Sequence, residues 1–198
     1  GQQKYANSSG WMMEWDFVEL PSQLLENWCY EKEALDLFAR HWKTGRKMPK
    51  QLIDALNRSR TFLSAPGRLY QCELQTFDLS LYSQPVPRSV SQLDRTFLTH
   101  ARKYSLLPVP DEYRMYTSFS HIFGGGYAAG YYSYFWAEML EADVFLKFQK
   151  RGILSPHVGE EFRRTVLSKG TMKPARELFR AFMKRAPDAR ALMKREKL

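Results

Sequence analysis

Cysteine is almost absent from these 198 residues, with only Cys29 and Cys72. Two are too few for a disulfide scaffold, and they read as buried thiols of an intracellular protein. Long apolar runs are missing as well: no stretch approaches the roughly 20 residues of a membrane-spanning helix. The polar opening Gly1–Gly10 carries no signal-peptide pattern. No Asn-Gly or Asp-Gly pair and no run of strand alternation occurs, so β-hairpins find no support. Histidine is scarce. His41, His100, His121 and His157 include no two spaced by four, and none is followed by Glu. The HExxH arrangement, two His on one helix face with a Glu between them, therefore lies nowhere in this sequence. No internal repeat or low-complexity tract appears.

Apolar residues make up 44% of the chain and aromatics 15%, far from a disordered composition. The length suffices for one domain with a real core. The net charge of +9 is uneven. Residues 1–149 hold 16 basic and 16 acidic side chains, whereas residues 150–198 hold 14 and 5. Such a basic tail invites a nucleic-acid reading. In Arg176–Arg185, however, Leu178, Phe179, Phe182 and Met183 form one stripe with the basic residues opposite it. That is the pattern of a solvated helix face, so neither nucleic acid nor membrane is expected as a partner.

The periodicity is helical throughout and predicts an all-α fold. One helix is expected to carry Glu19 and run on through Leu24, Leu25 and Trp28, with Pro21 as a kink or first-turn residue. Further helices are expected over 31–42 and from Pro49 onward, the latter with Leu52, Ile53 and Leu56 inward. Pro66–Gly67 reads as a break before 69–81. A loop at Pro85 and Pro87 precedes a helix over 90–104, and 106–113 reads as an extended connector. A helix over 134–149 presents Trp136, Leu140, Val144 and Phe148 along one side. Helices over 157–168, 174–184 and 188–197 close the chain, with Gly170 as a stop.

One segment departs from this pattern. Ser118–Trp136, SFSHIFGGGYAAGYYSYFW, holds one His, three consecutive Gly and four Tyr in nineteen residues. Gly124, Gly125 and Gly126 give a backbone open to φ values closed to other residues and able to approach a ligand closely. His121 precedes them; Tyr127, Tyr131, Tyr132 and Tyr134 follow. Buried Tyr hydroxyls need partners, so the concentration suggests a polar pocket. A Gly-rich turn leading into an aromatic core helix is the plainer alternative.

This segment, with SGWMMEWDFVELPSQLLENW (Ser9–Trp28) in the same order and spacing, resembles the thimet oligopeptidase family of zinc metallopeptidases. The branch it is most similar to is that of oligopeptidase A and the bacterial peptidyl-dipeptidases. The resemblance runs from about Ser9 to the C-terminus. It implies an HExxH helix just before Gly1, which makes the chain the C-terminal part of a single catalytic domain. It implies that Glu19 is the third zinc ligand, completing a His₂Glu set with an open water position. Asp16, three residues earlier, either orients a ligand His or caps the helix. It further implies that Tyr127 and Tyr134 face the scissile peptide and donate to the oxyanion of the tetrahedral intermediate. His121 stands near the same site. Gly124–Gly126 would form a mobile loop over bound peptide, or simply a turn.

The complete enzyme is then expected to hydrolyse short peptides as an oligopeptidase or dipeptidyl carboxypeptidase. It would be monomeric and cytoplasmic, with the mitochondrion as alternative. Lacking the two His and the general-base Glu, residues 1–198 alone would bind zinc weakly and be inactive. The competing readings are a non-catalytic peptidase-like scaffold and a basic nucleic-acid binder resting on residues 150–198.

Overall fold

The computed structural model describes residues 1–197, and it is all-α. Its eleven α-helices are α1 Trp15–Val18, α2 Leu20–Glu26, α3 Lys32–Phe38, α4 Lys50–Ser59, α5 Ser64–Ser83, α6 Val90–Tyr104, α7 Ser120–Phe123, α8 Ser133–Arg151, α9 Pro156–Phe162, α10 Ala175–Met183 and α11 Arg190–Glu196. Among the described residues the only β pairing is an isolated bridge between Arg40 and Lys47. Contacts divide the chain into two compact units, one of 1–62 with 136 onward, the other of 63–135.

The first unit is built on α8. Its Leu140, Val144 and Phe148 recur every fourth residue and are buried, as the spacing predicts. They pack with Phe17, Leu20 and Leu24 from α1 and α2, and with Leu178, Phe179 and Phe182 of α10. Each such side chain contributes about 1.5–3 kcal/mol on burial. Trp28 sets its edge against Phe145 and Phe148, at 5.2 and 4.9 Å between centroids. Its indole N–H donates to the Ile153 carbonyl at 2.9 Å. The C-terminal stripe behaves as read: Leu178, Phe179 and Phe182 are buried and Met183 packs against them. Gly170 adopts φ +50 between α9 and α10, and a Cβ there would stand 2.2 Å from the Ser8 carbonyl oxygen. Only glycine fits beneath the N-terminal segment at that point.

The second unit rests on α5 and α6, which pack through Leu74, Phe77, Phe97 and Ala101. Phe77 and Phe97 meet edge to face at 5.0 Å. α6 spans the predicted 90–104. Ser89 caps it, its hydroxyl accepting the Gln92 N–H at 3.2 Å. Tyr116 closes the far side and donates its hydroxyl to Asp94 at 2.6 Å.

Several expectations are corrected. Pro66–Gly67 does not break the chain, because Pro66 falls in the first turn of α5, where no intrahelical N–H bond is required. The helix through Glu19 is two helices meeting at that residue, and Trp28 lies in a 3₁₀ turn, Asn27–Tyr30. α3 stops at Phe38, so Trp42 lies beyond it. Leu52 and Trp136 sit on the predicted stripes yet are about half exposed, at 58% and 48%. Both cysteines are free thiols as expected, but Cys29 is exposed and Cys72 only half-buried.

Candidate active site

In the second unit, the short helix α7 ends in the glycine run. The N–H groups of Gly124 and Gly125 both donate to the Ser120 carbonyl at 2.8 Å, and Tyr127 N–H donates to the His121 carbonyl at 3.0 Å. The chain thus turns back on itself within a few residues. A Cβ on Gly125 would lie 3.0 Å from His121 Cα and from its carbonyl oxygen, and Gly126 takes φ +83. The turn therefore favours glycine at both positions. Tyr82 of α5 fixes its start by donating to the Ile122 carbonyl at 2.5 Å.

This turn brings the predicted ring side chains together. His121 stands edge-on to Tyr127 and to Tyr134, each at 5.7 Å between centroids. Tyr127 and Tyr134 stack at 5.1 Å with a 20° interplanar angle. Tyr131 is buried and completes the group, 5.4 Å from His121 and 5.3 Å from Tyr134. Its phenol is pushed up by burial, then by Tyr134 and Tyr70, against a hydrogen bond with Gln71. Phe119 backs Tyr131 at 4.7 Å. His121 is exposed and Tyr127 and Tyr134 are half-buried. Tyr132 is turned outward. Two phenols and an imidazole gathered around one turn can donate hydrogen bonds to a group developing negative charge.

A further residue holds the arrangement and escaped the sequence reading. Asp78 of α5 is wholly buried, and its two carboxylate oxygens accept the N–H groups of Ala129 and Tyr131, each at 2.9 Å. Ala129 has φ +55, a left-handed conformation uncommon outside glycine. Burial raises the Asp78 carboxyl above its usual range, while the N–H groups of Tyr131, Ala129 and Gly130 pull it back. A signal existed. Leu74, Phe77, Asp78 and Leu81 fall at i, i+3, i+4 and i+7, so an acid interrupts an apolar helical stripe.

Glu19 and Asp16 belong to the first unit. Glu19 sits at the junction of α1 and α2, half-buried. Its Oε2 accepts the Ser22 hydroxyl at 2.7 Å and its carbonyl accepts the Gln23 N–H at 3.0 Å. Asp16 lies in the first turn of α1. Among the described residues no group of three or more His, Cys, Asp or Glu could hold a metal ion.

Comparison with known sequences gives the family. Residues 1–198 match Peptidase family M3 along their whole length. The chain is 38% identical to oligopeptidase A of Salmonella typhimurium over 179 residues, 90% of this chain and 26% of that protein. It is 39% identical to an organellar, chloroplastic/mitochondrial oligopeptidase A of Arabidopsis thaliana over 186 residues, 92% of this chain and 24% of that protein. It is 32% identical to the dipeptidyl carboxypeptidase of Escherichia coli over 188 residues, 94% of this chain and 28% of that protein. The chain belongs to peptidase family M3, and the resemblance to the oligopeptidases holds. It spans about a quarter of the length of these relatives.

Proposed function

We propose that this chain is the C-terminal part of the catalytic domain of a metallopeptidase acting on short peptides, as an oligopeptidase or a dipeptidyl carboxypeptidase. The observation that carries the proposal is the clustering of His121, Tyr127 and Tyr134 on the glycine turn, in a member of a peptidase family. Tyr127 and Tyr134 donate to the oxyanion that forms when the scissile carbonyl is attacked, and His121 donates to the same oxygen or to the adjoining peptide. Gly124–Gly126 lie against the substrate backbone. Donors already in place are worth most in a site closed to water, because nothing has to reorganise as charge develops. Glu19 offers one carboxylate towards zinc, with Asp16 beside it. The remaining ligands and the general base come from outside this sequence. The working form is a monomer in the cytoplasm, with the mitochondrion as alternative, and its partners are peptides rather than nucleic acid or membrane.

The test is hydrolysis of fluorescence-quenched peptides by the complete polypeptide encoded by the source gene, with residues 1–198 alone as a second sample. The complete polypeptide is expected to cleave, to lose activity with a chelator, and to contain zinc. Tyr127→Phe or Tyr134→Phe should lower kcat by about 10²–10³-fold. The 198-residue chain alone should be inactive. Absence of cleavage by the complete polypeptide would leave a peptidase-like scaffold as the answer. Full activity in both Phe variants would remove these tyrosines from the mechanism.

A further inference from the structure

α5 buries a second acid that the glycine turn does not use. Glu73 is 4% exposed, and its Oε1 has no hydrogen-bond partner. Burial alone raises its carboxyl above the usual range. A buried carboxylate oxygen without a partner is costly, and in a native fold it calls for an explanation. Glu73 forms part of the wall of a cavity of about 500 Å³, together with Tyr70, Tyr104, Tyr113, Pro66, Pro108 and Pro110. Among the described residues no Lys, Arg or His lines this cavity, and Glu73 is its only carboxyl group. Tyr70 and Tyr113 share a hydrogen bond, and the charge of Glu73 acts on both phenols.

A cavity walled by proline, tyrosine and the aliphatic side chains of Leu106, Leu107 and Val109, with one desolvated acid and no cation, is complementary to a cation on an apolar stem. Tyrosine faces attract a cation, and the attraction grows as water is excluded. Guanidinium suits such a place better than ammonium: it is flat, weakly hydrated, stacks on rings and matches a carboxylate in two-pronged fashion. We propose that this cavity binds the basic side chain of a peptide, arginine foremost, with Glu73 as its counter-charge and Tyr70 and Tyr113 as its walls. That the cation arrives on a peptide rests on the peptidase reading above; that the cavity takes an organic cation does not.

The test is calorimetric titration of the complete polypeptide with three probes: Nα-acetyl-arginine amide, Nα-acetyl-norleucine amide and agmatine. The arginine probe is expected to bind saturably, and the norleucine probe at least about tenfold more weakly. Glu73→Gln, which keeps the shape and removes the charge, should weaken the arginine probe by about tenfold or more. Tyr70→Leu, which removes a ring wall but leaves Glu73, should weaken it as well, with circular dichroism as the check on folding. Equal binding of the arginine and norleucine probes, or unchanged arginine binding in Glu73→Gln, would overturn the proposal. Tighter binding of agmatine than of the arginine amide would overturn its peptide part and leave a site for a free amine. No cleavage enters this measurement. A failure to hydrolyse peptides would sink the peptidase reading without moving these affinities, and cleavage without cation binding would sink only the cavity.

Discussion

The two units treat their most deeply buried acids in opposite ways. In the first, the deeply buried carboxylates of Glu141 and Asp143 each meet an arginine. Glu141 accepts from Arg195 and, at 2.6 Å, from the Asn27 amide, while Arg60 reaches Asn27 at 3.2 Å. Asp143 is gripped through both oxygens by Arg185 and also takes the Asp188 N–H at 2.9 Å. In the second unit, Asp78 meets backbone amides and Glu73 has an oxygen that meets nothing. Charge paired with charge locks helices together. Charge set against amides shapes a loop, and charge left open waits for a ligand. The difference separates the acids that serve the fold from those that serve a site.

The largest effect should come from breaking an arginine pair. Arg195→Met leaves Glu141, 2% exposed, without the arginine bonded to it, although Arg60 stays nearby. Burial already lifts this carboxyl above its usual range against the pull of Arg195. The expected loss is about 3–5 kcal/mol in chemical denaturation. Adding Glu141→Leu should recover most of it, because an apolar pair of similar volume removes the stranded charge. If the single variant loses less than about 1 kcal/mol, well short of what a stranded buried charge costs, the first unit does not depend on the pair and the contrast collapses.

Asp78→Asn comes next. The amide can still accept one loop N–H, but its own donor then faces the other. An unsatisfied buried donor costs about 1–3 kcal/mol. The global loss should sit low in that range, since the cost of burying the charge is lifted at the same time. The sharper readout is local: hydrogen exchange at Ala129 and Tyr131 should quicken more than at the amides of α5. Uniform quickening across the unit would make Asp78 an ordinary core residue rather than the anchor of the turn.

These contrasts also mark what could be read from the chain alone. Local rules carried α6, whose Ser89 cap and apolar spacing lie within its own residues, and the α10 stripe, whose periodicity survives intact. The glycine run and its rings were visible because their composition is so unlike a core helix. Asp78 was marked only as an acid within an apolar stripe, and its role was hidden because its partners lie 51 and 53 residues away, beyond any local rule. Leu52 and Trp136 show the complementary failure: periodicity finds an apolar face but not whether anything packs on it. Pro66 was misread because a proline breaks a helix in its interior and is harmless in its first turn. Glu19 was placed on the right segment, but the junction of α1 and α2 at that residue has no marker beyond Pro21.

The smallest effect should come from Glu73→Gln, and its sign is the informative part. Desolvation raises this carboxyl above its ordinary 4.5. Below about pH 4.5 the group is protonated in both folded and unfolded chains, so the substitution should change stability little. As pH rises through that value the unfolded chain ionises first, which favours unfolding, and the penalty grows until the folded-state carboxyl ionises too. A glutamine side chain carries no such penalty, so the variant should be more stable than the parent at neutral pH, with the difference closing as pH falls. Paired thermal melts across this range check it. A variant that gains stability while losing the arginine probe would show that the acid is kept at a cost to the fold, as ligand sites commonly are. A variant destabilised at neutral pH would mean that Glu73 serves the fold after all, and the two units would then differ only in the partners they choose.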